Sequence, residues 1–269
     1  NNCRCIESLK NIHAEVPLKE IAAMQLIGDS HPHVLGCRQV LYDGHNIYVI
    51  MRYCNSGDLF QLLQDSQDSA RPGISEDEAR AWVRQIISGV HHLHSIGICH
   101  RDLSPENVMM DKEAGTLIID MGMCLRVPYV SSDTSVPTDK MTATGSGGQL
   151  RRCWLRPQGA CGKLPYMAPE VYASQIPFDS AAIDVWTTGT ILFCMLSGNR
   201  SYQRPESSDP QFYWMTKGLG QLLNDWDVRL SPEGLDLLQN MLQVEPRLRL
   251  TLEEVLAHPW LSKSNIDLK

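Results

Sequence analysis

The run His100-Arg101-Asp102-Leu103-Ser104-Pro105-Glu106-Asn107 places an Asp and an Asn on either side of four residues that include a Pro. On a tight loop that spacing can set a proton acceptor and a metal ligand around one phosphoryl group. Downstream, Ile118-Ile119-Asp120-Met121-Gly122 is a β-branched apolar run ending in an Asp, followed by a Gly that lets the chain turn. A carboxylate at such a strand end can hold Mg²⁺, a hard cation that takes oxygen ligands.

A third segment is Tyr166-Met167-Ala168-Pro169-Glu170. In this order and at this spacing the three segments resemble the protein-kinase set H-R-D-x-x-x-x-N, D-F-G and A-P-E. Asp184-Val185-Trp186 with Gly189 looks like the D-x-W-x-x-G start of that family's long buried helix. Glu245-Pro246 through Arg249, then His258-Pro259-Trp260, look like the close of its large lobe. The likeness spans nearly the whole chain and is greatest to the calcium/calmodulin-dependent-like Ser/Thr kinases. Tyrosine kinases carry Ala-Ala-Arg or Arg-Ala-Ala where this chain has Ser104-Pro105-Glu106.

The resemblance implies roles, residue by residue. Asp102 would accept or orient the substrate hydroxyl proton, and Asn107 and Asp120 would hold Mg²⁺. Glu20 would position the phosphate-binding Lys. Met51 looks like the gatekeeper beside the adenine of ATP. The C=O of Arg52 and the N–H of Cys54 would meet the adenine edge, with Met109 beneath the ring. Asp58 would take the ribose hydroxyls, although it is equally a helix N-cap residue. Glu170 and Arg249 would form a buried ion pair, and Asp184 would bind the catalytic-loop backbone. Arg101 belongs to a class of Arg that pairs with an activation-loop phosphate. No hydroxyl stands near Gly159, where that phosphate is expected; Thr134, Ser135, Thr138, Thr142, Thr144 and Ser146 lie further back.

The chain departs from the pattern in four places. No Gly-rich phosphate loop or following strand is present, so the sequence reads as an N-terminally truncated domain. Arg4 stands nearest the place of the expected Lys, and Lys10 lies too close to the first helix. Met121 replaces the Phe of D-F-G and can fill the same slot. Ser104 replaces a Lys on the catalytic loop, and Lys163 replaces a Thr ahead of A-P-E. The last two are expected to be an exchanged pair, with the Lys163 ammonium in salt-bridge range of Asp102 and the Ser104 hydroxyl close by.

The elements that must hold these residues follow from periodicity. Glu15 to Ile27 is helical in pattern, with Leu18, Ile21, Met24 and Leu26 near one face and His31-Pro32 as its stop. Strand-like runs over Val34 to Tyr42 and Asn46 to Tyr53 meet at Asp43-Gly44. Helical patterns then dominate: Asp58 to Gln64, Ser75 to Ile96, Ile183 to Leu196, Ser231 to Val244 and Leu252 to His258. Val130 to Gly159 reads as a long mobile loop. The expected fold is α+β and two-lobed: residues 1–53 as a partial small lobe of about three strands, and 54–269 as a large helical lobe with an activation segment over 120–170.

Composition narrows the partners. The net charge of −7 over 269 residues argues against nucleic acid and anionic membrane, which reward clustered Lys and Arg. No apolar run is expected to span a bilayer. Nine Cys without Cys-x-x-Cys spacing read as free thiols of a cytoplasmic protein. His91, His92 and His94 look like a metal cluster but are expected to serve surface or packing roles. Together these imply a Ser/Thr kinase acting on a protein with ATP and Mg²⁺; the rival is a pseudokinase, a binding or scaffold module of the same fold.

Overall fold

The chain's first described helix, α1 (Pro17–Ile27), starts on a Pro that costs no hydrogen bond there and stops at Gly28. Gly28 has φ 54 and donates its N–H to Met24 O at 2.9 Å, so a left-handed glycine ends the helix before His31-Pro32 is reached. The computed structural model describes residues 17–67, 73–126, 141–143, 151–155, 161–173 and 178–262. Ala23, Met24 and Ile27 face inward, whereas Leu18 and Leu26 are exposed, contrary to the expected stripe. Two residues along a helix are about 200° round it, so Leu26 and Met24 lie on opposite faces.

The small lobe contributes one hairpin among the described residues, β1 (Gln39–Tyr42) against β2 (Ile47–Ile50), with Val40 opposite Val49. Residues 1–16 of the expected small lobe lie outside the described residues. Asp43 closes the turn by accepting the N–H of His45 at 2.9 Å and of Asn46 at 2.7 Å. Val34 makes only an isolated bridge, to Ile118.

The large lobe opens with α2 (Leu59–Gln67) and α3 (Glu76–Ser95). Ser75 and Glu78 form a reciprocal capping box that fixes the start of α3. Val83, Ile86, Ile87, Val90 and Leu93 recur on its inner face. Short ladders follow: β3 (Ile98–Cys99) with β6 (Leu125–Arg126), and β4 (Val108–Asp111) with β5 (Gly115–Ile118). The expected 130–159 loop is not wholly irregular. It contains β7 (Met141–Ala143) and β8 (Arg151–Leu155), which continue into β9 (Phe178–Asp179) as a three-stranded sheet. Cross-strand pairing of β7 and β9 onto β8 is a long-range contact that local polarity does not report.

After α4 (Pro169–Ala173), α5 (Ser180–Ser197) runs through the middle of the lobe and is buried over 94% of its length. It is long and apolar enough to span a bilayer, which corrects the expectation from sequence, but here it is a core helix. Thr187, Thr188 and Thr190 donate back to Ile183 O, Asp184 O and Trp186 O, so its buried hydroxyls are satisfied. Helices α6 (Pro210–Lys217), α7 (Leu219–Asp225), α8 (Pro232–Met241), α9 (Leu252–Leu256) and α10 (Pro259–Ser262) surround it. At Gly189 an added Cβ would stand 3.0 Å from Met241 Cβ, so glycine lets α5 and α8 approach closely without displacing Met241.

Glu170 and Arg249 meet as expected, in a two-pronged pair at 2.7 and 3.0 Å, both side chains buried. Arg249 also donates to Ala182 O and Gln243 O and lies 5.0 Å from the Trp186 ring centroid. Removing one partner strands a buried charge. Arg249→Met is therefore expected to lower unfolding free energy by about 3–5 kcal/mol, read from denaturant midpoints. Retention of wild-type stability would show that the pair contributes nothing.

The histidines bind the lobes together. The rings of His31 and His92 stack at 4.8 Å, Ser30 Oγ contacts His92 Nε2 at 2.9 Å, and His31 Nδ1 accepts the His33 N–H at 3.2 Å. Burial, then the neighbouring His92, His33 and His91, lower the His31 pKa to about 4 from an ordinary 6.5. Between those values the unfolded chain binds the extra proton, so stability rises with pH. The thermal midpoint is expected to climb from pH 4 to 6.5, and His31→Phe to flatten that slope; an unchanged slope would exclude His31 as its source.

Candidate active site

The catalytic loop is hung from α5. Asp184, fully buried, accepts His100 N–H at 2.9 Å, Arg101 N–H at 2.8 Å and His94 Nε2 at 2.7 Å. Arg101 sits at φ 70, a backbone region that costs a non-glycine residue of order 1–3 kcal/mol. Two charge-assisted bonds to the main-chain N–H groups of His100 and Arg101, just ahead of that torsion, offset the strain. Burial alone would raise Asp184, but the bond from His94, its charge and the neighbouring donors hold it below the ordinary carboxylate value. Burial opposes charging His94, yet Cys99 and Asp184 beside it raise its pKa well above 6.5, so the pair is ionic at neutral pH. Sequence reading assigned His94 only a surface or packing role; its sole signal was its place one helical turn before the loop.

His100 then joins this loop to the second motif. Its Nδ1 accepts Asp102 N–H at 3.2 Å, which leaves Nε2 as the donor to Ile119 O at 2.9 Å. Ile119 N–H in turn donates to Asn107 O at 3.0 Å. Asp120, next along, has φ 66 and accepts Gly122 N–H at 3.0 Å. Met121 is fully buried, filling the slot as the sequence reading expected.

These contacts bring Asp102, Asn107 and Asp120 together. Asn107 Nδ2 donates to Asp102 O at 2.8 Å and reaches Asp102 Oδ2 at 3.5 Å, which leaves the Asn107 side-chain oxygen uncommitted. Asp102 Oδ1 is buried without a well-formed hydrogen bond. Burial raises the Asp102 pKa and Asp120 adds to the rise, against the opposing charges of His100 and Lys163. The Lys163 main-chain N–H points at the same carboxyl without closing a full bond, and a buried carboxylate oxygen of that kind beside two further oxygen donors fits a site for a cation and a donor hydroxyl.

Lys163 departs from expectation. Its Nζ donates to Ser104 Oγ at 3.0 Å, so the exchanged residues do meet, but its ion pair is with Glu106 at 3.4 Å and none forms with Asp102. At Gly162, φ 88, an added Cβ would stand 3.0 Å from Arg101 O and 3.4 Å from Asp102 Oδ1, so the chain passes close to Asp102 just before Lys163. The four-carbon stem then carries the ammonium past Asp102 to Glu106. Glu106 had no assigned role in the sequence reading. Arg101 donates to Cys161 Sγ at 2.8 Å rather than to any described hydroxyl.

The other predicted residues line the cleft wall. Arg52 is tied to Asp111 at 2.7 Å, which fixes the strand between the lobes, and Met51 is exposed. Neither the C=O of Arg52 nor the N–H of Cys54 enters another main-chain bond among the described residues. Cys54 packs with Leu35, Leu117 and Met109. Asp58 accepts Gln61 N–H at 2.8 Å and so does cap α2. Glu20 is partly buried on α1, and Arg4 lies outside the described residues. Asp184→Asn is expected to speed amide exchange at His100 and Arg101 by at least tenfold; unchanged protection would exclude Asp184 as the loop's anchor.

The protein kinase domain profile matches residues 5–261. The chain is 33% identical over 91% of its length to the probable serine/threonine-protein kinase KCC4 of Saccharomyces cerevisiae, covering 20% of that protein. It is 31% identical over 94% to the maternal embryonic leucine zipper kinase of Danio rerio, covering 33% of it. It is also 31% identical over 94% to the SNF1-related protein kinase catalytic subunit alpha KIN12 of Arabidopsis thaliana, covering 44% of it. The chain thus spans less than half the length of each of these relatives. By the extent of the profile match, and by the anchored loop that carries its motifs, this chain belongs to the protein kinase domain family.

Proposed function

We infer that the chain transfers the γ-phosphoryl group of ATP to a Ser or Thr hydroxyl of a protein. The observation that carries this reading is the mostly buried Asp102 carboxylate, whose Oδ1 lacks a well-formed hydrogen bond, set beside Asn107 and Asp120. Asp102 Oδ1 accepts the substrate hydroxyl proton as the oxygen attacks, and its raised pKa makes it a better base than an exposed carboxylate. Asn107 and Asp120 would hold Mg²⁺, which neutralises charge on the phosphates when bound. Asn107 Nδ2 keeps the Asp102 main chain in place. The Ser/Thr assignment draws support from the names of the relatives, and the finer likeness to the calcium/calmodulin-dependent-like group rests on sequence texture. A cytoplasmic location is supported by six buried free thiols among the described residues.

A second reading, a binding module of the same fold without turnover, is favoured by the turn of Lys163 toward Glu106 instead of Asp102. Asp102→Asn separates the two. Phosphoryl transfer to a Ser/Thr peptide mixture with Mg²⁺ is expected to fall by orders of magnitude while the melting curve stays put; equal incorporation in both proteins would dismiss Asp102 as the base. Because the Asp102 pKa is raised, the acid limb of the pH–rate profile should lie above the ordinary carboxylate range, activity rising as pH climbs through it.

The Ser104–Lys163 hydrogen bond supports an exchanged pair that keeps one hydroxyl and one ammonium near the reacting groups. Ser104→Lys and Lys163→Thr are each expected to cut turnover by roughly 10²-fold, and the double variant to recover much of it. Simple additivity of the two losses would show that the positions act independently.

A further inference from the structure

Beneath the catalytic loop, three elements bring three metal-binding side chains together. His94 comes from the last turn of α3, Cys99 from β3 and Asp184 from α5. An imidazole nitrogen, the thiol sulfur and a carboxylate oxygen all lie within 4.8 Å of one another. His94 Nε2 meets Asp184 Oδ2 at 2.7 Å, and the Cys99 side chain is in hydrogen-bonding reach of the same imidazole. Anchoring of the loop accounts for His94 and Asp184 but leaves Cys99 without a role. Among the described residues this is the one group of three His, Cys or acidic side chains gathered so closely.

The cluster has capacity for an ion. Asp184 takes His94 and the His100 N–H on Oδ2, and the Arg101 N–H on Oδ1. An ionised carboxylate offers about four acceptor positions, so one on Oδ1 stays open among the described residues. The charge balance fits as well. A thiol, an imidazolium and a carboxylate sum to zero. One divalent ion in place of the thiol and imidazolium protons leaves a thiolate, a neutral imidazole and a carboxylate, again with no net charge, and both protons leave to solvent. A neutral buried site avoids the penalty that an unpaired buried ion incurs. Asp184 is fully buried and Cys99 nearly so, but the His94 side chain is 15% exposed and gives an ion its way in.

We propose that His94, Cys99 and Asp184 form a binding site for Zn²⁺, apart from the oxygen ligands Asn107 and Asp120. A nitrogen, a sulfur and an oxygen in one set suit Zn²⁺, which takes four ligands, and the fourth position falls to water at the His94 edge. Mg²⁺ prefers oxygen ligands in octahedral geometry and does not compete for this set. The ion takes the place of the proton between His94 and Asp184. Zinc bonds of about 2.0 Å to nitrogen and oxygen set those atoms about 3.3 Å apart, so the 2.7 Å contact widens slightly. Bound there, the metal acts on the carboxylate that holds the catalytic loop and does not touch Asp102.

The test uses Co²⁺ as a coloured stand-in for Zn²⁺, added to the full chain with its thiols kept reduced. One equivalent is expected to bind, with a sulfur-to-cobalt band in the near ultraviolet and the visible bands of four-coordination. Zn²⁺ should abolish both, and a large excess of Mg²⁺ should leave them. Cys99→Ser should remove the sulfur band, and His94→Gln should weaken Co²⁺ binding by at least about tenfold. Cys37→Ser, at a buried thiol ahead of β1, should change neither. A full sulfur band in Cys99→Ser, or no stoichiometric uptake by the native chain, overturns the proposal. The zinc X-ray absorption spectrum of the native chain needs no variant to fold. One sulfur neighbour at about 2.3 Å with lighter nitrogen and oxygen neighbours is expected. No sulfur, or more than one, excludes this site.

Discussion

One buried carboxylate holds the site together. Asp184 receives two consecutive main-chain N–H groups and a charged His94, and through them keeps Arg101 in a backbone region that an arginine leaves when free to do so. The reversal of the chain at Arg101 is what turns Asp102 toward Asn107 and Asp120. His100, pinned on the same carboxylate, passes the constraint on to Ile119 and hence to the residue before Asp120. Two motifs separated in sequence are thus fixed by one acid on a third element. That acid can stay buried because every strong donor near it is aimed at it.

The same logic runs through the lobe. Helix α5 is apolar enough to be mistaken for a membrane span, yet it carries an Asp, three Thr and a glycine where contacts demand them. The three Thr hydroxyls bond back within the helix, and the Asp is met by the catalytic loop and by His94. The Glu170–Arg249 pair ties the segment ahead of α5 to the far end of the lobe and lies against Trp186. Buried ion pairs contribute little net energy over apolar packing, but they specify one arrangement, since any other leaves a charge unpaired.

Lys163 shows how a local exchange propagates. Moving an ammonium from the catalytic loop to the segment ahead of α4 keeps a hydroxyl and a cation in contact, at 3.0 Å. It also brings the cation within reach of Glu106. The surroundings of Ser104 and Glu106 are therefore coupled through one flexible side chain.

Sequence alone determined the chemistry-bearing residues and most helices. Asp102, Asn107 and Asp120 were legible because their types and spacing are tied to a local loop and a strand end, and α3 because its capping box and inner stripe are local patterns. Periodicity placed α1 but chose its buried face wrongly, since which stripe turns inward depends on what packs there. The strands within 130–159, the partner of Lys163 and the role of His94 were decided by tertiary structure. Each is a contact between segments far apart in the chain; the Lys163–Ser104 bond closes 59 residues and the His94–Asp184 bond 90. Spacing in a sequence fixes distances over a turn or two of helix. Beyond that, the path of the backbone settles which charges meet, because a carboxylate or an ammonium takes the nearest partner that the fold leaves open.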